Sequence, residues 1–136
     1  MVQLAEHPTV KVFRERQLEG PHPSAPDVLD SAWLRQLCLD AGADDVGFVE
    51  IDQPEVADQR DDILAAFPHA RTLVSLVCRM NRENIRTPAR SIANLEFHHT
   101  GDEVNQAAGR IVTELERIGV RAINGGAMGF PMEMNR

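Results

Sequence analysis

The sequence has no long apolar run and only two cysteines. None of its 136 residues belongs to a stretch approaching the roughly 18 apolar residues that a membrane-spanning helix needs. Residues 1–8 lack the basic and apolar regions of a secretion signal. We therefore expect a cytoplasmic, globular protein with no membrane partner, long enough to bury a hydrophobic core.

The cysteines, Cys38 and Cys78, form no C-x-x-C pair. They are too few and too far apart to assemble an iron–sulfur cluster or a structural zinc site. Each lies in an apolar pattern, which predicts a reduced core residue, with a disulfide or redox role as the alternative. No metal site is predicted at His98 and His99 either, because adjacent side chains diverge in a strand or loop and zinc needs three or four converging ligands.

The charge is acidic overall but locally basic. A formal net charge of −7 opposes general binding to nucleic acid, which depends on neutralising phosphates. Arg79, Arg82, Arg86 and Arg90 nevertheless share twelve residues with only one acid, Glu83. Such a segment either holds a phosphate or carboxylate through its guanidinium groups or is a solvated loop.

Hydrophobic periodicity predicts alternating helices and strands after an N-terminal extension, residues 1–23, whose only strand character lies at 10–13. The domain, residues 24–136, is predicted to contain a helix from Ser24 to Gly42, a strand over 46–51, a helix over 56–67, a strand over 72–78, a polar connection over 79–99, a helix from a capping box at Thr100 to Gly119, and a strand over 120–124.

The strand over 72–78 is almost continuously apolar, as is typical of a strand covered on both faces. Strand, helix and strand in this order predict a right-handed crossover between parallel strands. The expected fold is therefore α/β, with a small, mostly parallel sheet flanked by helices in three layers.

Three segments in order carry a family resemblance: LDAGADDVGFV at 39–49, FPHARTLVSL at 67–76, and then the long connection with its capped helix. This order is similar to the N-terminal part of the corrinoid-dependent iron–sulfur reductases, the group that contains epoxyqueuosine reductase and the reductive dehalogenases. The resemblance spans about residues 28–136. It implies an incomplete, nitroreductase-like cobalamin-binding domain of an oxidoreductase.

In complete members a ferredoxin module with two 4Fe–4S clusters follows this domain, and the family's glycine-rich corrinoid segment would begin after Arg136. We therefore expect a fragment that is inactive alone, completed by a missing C-terminal half or a separate ferredoxin-like partner. No twin-arginine export signal is present, which favours a cytoplasmic relative.

The resemblance also implies site residues. The proton-donating aspartate of epoxyqueuosine reductases matches Asn124 in position, although an amide cannot donate a proton as a carboxylic acid does. Glu133 is similar to a glutamate after the same loop and is the alternative acid. The residues themselves suggest the candidate cofactor-binding groups: Arg86 and Arg90 for anionic groups, His98, whose imidazole can contact a cofactor or transfer protons, and the turn at Gly125 and Gly126. This turn lacks the spacing of a dinucleotide-binding loop.

Two alternatives stay open. A non-enzymatic α/β module would bind a partner protein through its unpaired sheet edge and Met-rich tail. A homo-oligomer is a further alternative for the partner. A flavin-binding nitroreductase-like protein would use the same fold without iron.

Overall fold

A computed structural model describes residues 8–18 and 25–126 of the chain. Its elements are α1 (Pro8–Leu18), α2 (Ser31–Asp40), β1 (Asp45–Glu50), a 3₁₀ turn (Pro54–Val56), α3 (Arg60–Ala66), β2 (Thr72–Val77), α4 (Arg82–Arg86) and α5 (Arg90–Arg117). Within these residues the fold is a small α/β arrangement in which helices pack on a two-stranded sheet.

The sheet corrects the prediction of parallel strands in three layers. β1 and β2 are antiparallel, with Val46 opposite Leu76 and Phe48 opposite Val74. β2 is not covered on both faces, because Val74 and Val77 are 37% and 52% exposed.

The connection between the strands begins and ends at the same end of the sheet. The chain leaves β1 and enters β2 there, and the Ile51 amide donates to the Arg71 carbonyl at 2.7 Å. The Arg60 guanidinium donates to the Ile51 carbonyl at 2.8 Å and ties α3 to this end.

The core lies where α2, the first half of the sheet and the second half of α5 meet. Its buried residues are Leu34, Cys38, Ala41, Val46, Ala107, Ile111 and Leu115. Partly buried Phe48 and Leu76 extend it along the sheet, and Val120 and Ala122 close it after α5. Each fully buried Leu or Ile stabilises the fold by roughly 1.5–3 kcal/mol. Helical spacing predicts one apolar face on the last helix, formed by Val104, Ala107, Ala108, Ile111, Val112, Leu115 and Ile118. This face is confirmed at Ala107, Ile111 and Leu115, which are buried.

The helix predicted from Ser24 to Gly42 corresponds to α2 and begins later than predicted. Ser24 lies outside the described residues, and 25–30 are not helical. α2 begins after Asp30, whose carboxylate accepts a hydrogen bond from the Trp33 amide at 2.7 Å and so caps the helix. The predicted end is confirmed, because Gly42 has a φ of +119°, a conformation that favours glycine.

Residues 10–13, predicted to have strand character, are helical and belong to α1. Proline at the first helical position and the helix-forming residues of 11–17 account for this. Residues 120–124, predicted as a third strand, form no ladder. Val120 and Ala122 pack on the helical core instead.

The polar connection predicted over 79–99 contains α4 and the first ten residues of α5. Thr100 is therefore not a helix cap but lies within a helix of 28 residues, about 42 Å long. Its buried positions are Glu96, Thr100, Ala107, Ile111 and Leu115. The helical period continues before Thr100, but a polar residue, Glu96, occupies the buried position there, so a search for apolar residues alone missed it.

Alanine substitution in α5 is expected to stabilise the protein. A Cβ atom added at Gly101 or Gly109 would meet nothing within 4 Å, and glycine costs a helix interior about 0.5–1 kcal/mol relative to alanine. Gly101→Ala and Gly109→Ala should each raise the free energy of unfolding, measured in urea, by about that amount.

Gly42→Ala is the matched opposite case, because a side chain is strained at a φ of +119°. This variant should lose about 1 kcal/mol or more. Equal effects at the three glycines would contradict the helical assignment of 101 and 109.

Candidate functional site

A buried carboxylate fastens α4 to α5. Glu96, only 9% exposed, accepts hydrogen bonds from the Asn81 amide at 2.6 Å and from the Asn84 side chain at 2.9 Å. The Thr100 hydroxyl lies 3.4 Å from the same carboxylate. The Asn81 side chain in turn caps α4 by accepting from the Glu83 and Asn84 amides. This network gives the short α4 a fixed place against the long helix.

The hydrogen bond from the Asn81 amide, followed by that from Asn84, lowers the pKa of Glu96 below its ordinary value, against the opposing effect of burial. The charged form is therefore favoured in the folded state. Sequence reasoning missed Glu96, Asn81 and Asn84. The one available signal was an asparagine directly before a short helical segment, which is typical of an N-cap.

The structure places Asn124 against α5. Its side-chain nitrogen donates to the Asn105 side-chain oxygen at 2.7 Å, and its oxygen accepts from the Gly126 amide at 2.9 Å. The glycine turn at 125–126 is thus held by the Asn124 amide, and Gly126 adopts a φ of +80°. Asn105 was also missed, because a contact between residues 19 positions apart leaves no mark on local pattern.

His98 lies on the same face of α5 as Asn105. The two are seven residues apart, which is about two turns or 10 Å along the axis. His98 is exposed and its ring meets that of Phe97 edge to face, with centroids 5.8 Å apart. The structure therefore places two candidate site groups, His98 and the Asn124–Gly126 turn, on one side of α5.

The predicted arginines are not gathered there. Arg86 ends α4 and Arg90 begins α5. Both side chains are exposed, and neither forms an ion pair with a described residue. Glu133 lies outside the described residues.

Two shallow surface concavities occur within the described residues. One, of about 580 Å³, lies along the second half of α5 at Gln106, Gly109, Arg110, Thr113, Glu114 and Arg117. The other, of about 330 Å³, lies at the open end of the sheet at Phe48, Val49, Glu50, Gln53 and Glu55. Neither includes a predicted site residue. The described candidate residues Arg86, Arg90, His98 and Asn124 are exposed.

Both cysteines are free thiols. Cys38 is fully buried, and burial raises the pKa of its thiol. Burial and then the Asp44 carboxylate raise the pKa of Cys78, whose sulfur lies 3.7 Å from the Gly42 carbonyl oxygen. The predicted core position is confirmed for Cys38, whereas Cys78 is only partly buried at the margin of the core.

Comparison with family models, curated proteins and solved structures found no match to this chain. Across residues 8–18 and 25–126, no helix combines the length and apolar character needed to cross a bilayer. The same residues contain no group of three or more His, Cys, Asp or Glu side chains placed to bind a metal ion. The family resemblance therefore depends on the order of its segments.

Glu96 is expected to make stability depend on pH in the acid range. The pKa of Glu96 is lowered in the folded state. Its contribution to the free energy of unfolding is therefore complete above its unfolded-state pKa, about 4.3. That contribution is lost as the pH falls through the lower folded-state pKa. Urea unfolding between neutral and acid pH should show a smaller acid loss in Glu96→Gln than in the wild type, together with lower stability at pH 7.

Glu116→Gln is the control, because Glu116 is an exposed carboxylate on α5 with no side-chain hydrogen bond to a described residue. The stability that this variant loses between neutral and acid pH should match the loss in the wild type. An unchanged profile in Glu96→Gln would show that the carboxylate does not hold α4.

The thiols are expected to differ in reactivity. In a thiol-disulfide exchange assay at neutral pH, Cys78 should react slowly, because its raised pKa limits the thiolate, and Cys38 only when the protein unfolds. Cys78→Ser should remove the reaction of the folded state. In urea and without reductant, the unfolded protein should show two reactive thiols per chain. If neither thiol reacts, the two cysteines form a disulfide.

Proposed function

We propose that this chain forms the opening part of a corrinoid- and iron–sulfur-dependent oxidoreductase, in which it supplies one wall of the cofactor site. The observation that carries the proposal is the Asn124–Asn105 hydrogen bond of 2.7 Å. It holds the segment similar to the family's catalytic loop on the same face of α5 as His98. Two of the candidate site residues, one from the resemblance and one from the sequence pattern, therefore lie on one side of one helix.

The described residues fit one side of such a cofactor and do not enclose it. A cofactor of drug size or larger is normally buried over most of its surface in a concave site. His98 and the Asn124–Gly126 turn lie on an exposed helix face outside both concavities. A further polypeptide supplies the opposite side of the cofactor site in this proposal.

The sheet supports the same proposal. A two-stranded sheet is marginal alone and normally needs further strands or full helical cover. Here the helices cover the face that carries Val46, Phe48 and Leu76, while Val77 on the opposite face is 52% exposed. A further polypeptide packed on this exposed face would complete the cover of the sheet.

Asn124 is proposed as a positioning residue rather than the proton donor. Its amide nitrogen donates to Asn105 and its oxygen accepts from Gly126, so the side chain ties the turn to α5. An amide at this position disfavours the acid chemistry of epoxyqueuosine reduction and leaves Glu133 as the candidate acid. The 4Fe–4S clusters belong in this proposal to a separate module, because Cys38 is enclosed in the core.

Titration of the chain with hydroxocobalamin tests the proposal. We expect saturable binding with a shift in the visible spectrum, weakened by about tenfold or more, roughly 1.4 kcal/mol, in His98→Gln and in Asn124→Ala. Equilibrium dialysis should give the same order of affinities as the spectral titration.

The control is His99→Gln. His99 is the next residue of α5 and pairs with Glu103 at 3.2 Å, away from the face shared by His98 and Asn105. Its substitution should leave binding unchanged. Absence of saturable cobalamin binding would contradict the proposal, and saturable FMN binding in its place would support the flavin alternative.

A further inference from the structure

The two edges of the sheet differ in their free backbone groups. The Ile51–Arg71 hydrogen bond continues the register of β1 and β2 by one pair. Because inward and outward groups alternate along antiparallel strands, the backbone groups of Thr72, Val74 and Leu76 point away from β1. None of them is hydrogen-bonded within the part of the chain that the structure describes.

The outer edge of β1 is partly closed. The same alternation places the Val46 backbone outward, where its carbonyl accepts from Arg35 at 3.0 Å and its amide donates to the Asp45 carboxylate at 2.9 Å. Arg35 also pairs with Asp45 at 2.9 Å. At the far end, Glu50 adds a charge to this edge, a feature that discourages pairing with another strand.

β2 has no such protection. Its six residues, Thr72–Val77, include no charge and no proline. Val74 and Val77 expose 37% and 52% of their surfaces, on opposite faces of the sheet. A row of unpaired backbone groups on an uncharged strand is the feature that templates addition of a further strand.

We propose that β2 pairs with β2 of a second copy of this chain, antiparallel about a two-fold axis at Val74, to give a continuous four-stranded sheet. This register sets Val74 opposite Val74 and Thr72 opposite Leu76 of the other copy. Each outward residue then both donates and accepts, which gives about six new hydrogen bonds. The proposal is independent of the cofactor.

The charges favour a second copy over a different strand. In this register Arg71 lies opposite Val77, so no like charges oppose each other. The strand also has no charge that would select an oppositely charged partner. A two-fold interface requires a surface complementary to itself, and this neutral strand meets that condition.

Sedimentation equilibrium of the full chain tests the proposal between about 1 and 200 µM, where a small interface dissociates. We expect a monomer–dimer equilibrium. Val74→Lys should weaken dimerisation by about tenfold or more, because the register sets two like charges directly opposite. Val74→Glu should do the same, and an equimolar mixture of the two variants should recover a heterodimer.

Val74→Pro gives a second test, because proline removes an amide that only the partner strand would use and is tolerated at sheet edges. It should be monomeric with an unchanged circular dichroism spectrum. The control, Glu50→Lys on the outer edge of β1, should dimerise like the wild type. A wild-type monomer throughout the range, or dimers that persist in the lysine and proline variants, would overturn the proposal.

Discussion

The close contact between α2 and α5 sets the geometry of the described chain. Its buried positions are small: Cys38 is 0%, Ala107 1% and Ala41 7% exposed. Small side chains allow helices to approach closely. At the same contact Arg110 of α5 donates to the Ala41 carbonyl at 2.8 Å, which satisfies a helix-terminal acceptor of α2. Because β1 begins a few residues after Ala41, this contact also fixes where the sheet attaches.

A core this small leaves the outer parts of the molecule to polar interactions. Phe97 lies near the core-facing side of α5 at one end, yet it is 51% exposed. The apolar core stops before it, and the Glu96 network with Asn81 and Asn84 takes its place. A buried carboxylate is stable there because it accepts hydrogen bonds from three groups. The first half of α5 is thus held by directional bonds rather than by packing.

Sequence reasoning located both strands, the end of α3 before Pro68 and the buried face of the last helix, since these depend on local pattern. It missed the direction of β2, because hydrophobic continuity identifies a strand without its orientation. It read Glu96 as part of a loop, because a polar residue at a buried helical position interrupts the apolar pattern. In the candidate site, the segment at Asn124 was found by resemblance, but its attachment to Asn105 depends on a contact between distant residues.

The open edge of β2 and the exposed face at His98 have one physical origin. The few described elements leave Val77 exposed on the face of the sheet opposite the core, and among the described residues His98 is exposed on the face of α5 opposite the core. Any strand that adds at β2 would stabilise the sheet by mass action. If the added polypeptide also reaches the His98 face, strand addition and ligand binding become coupled, and each must strengthen the other by the same factor. If the dimer forms through β2 and the affinity for cobalamin does not change, the polypeptide that completes the cofactor site is not the one added at β2.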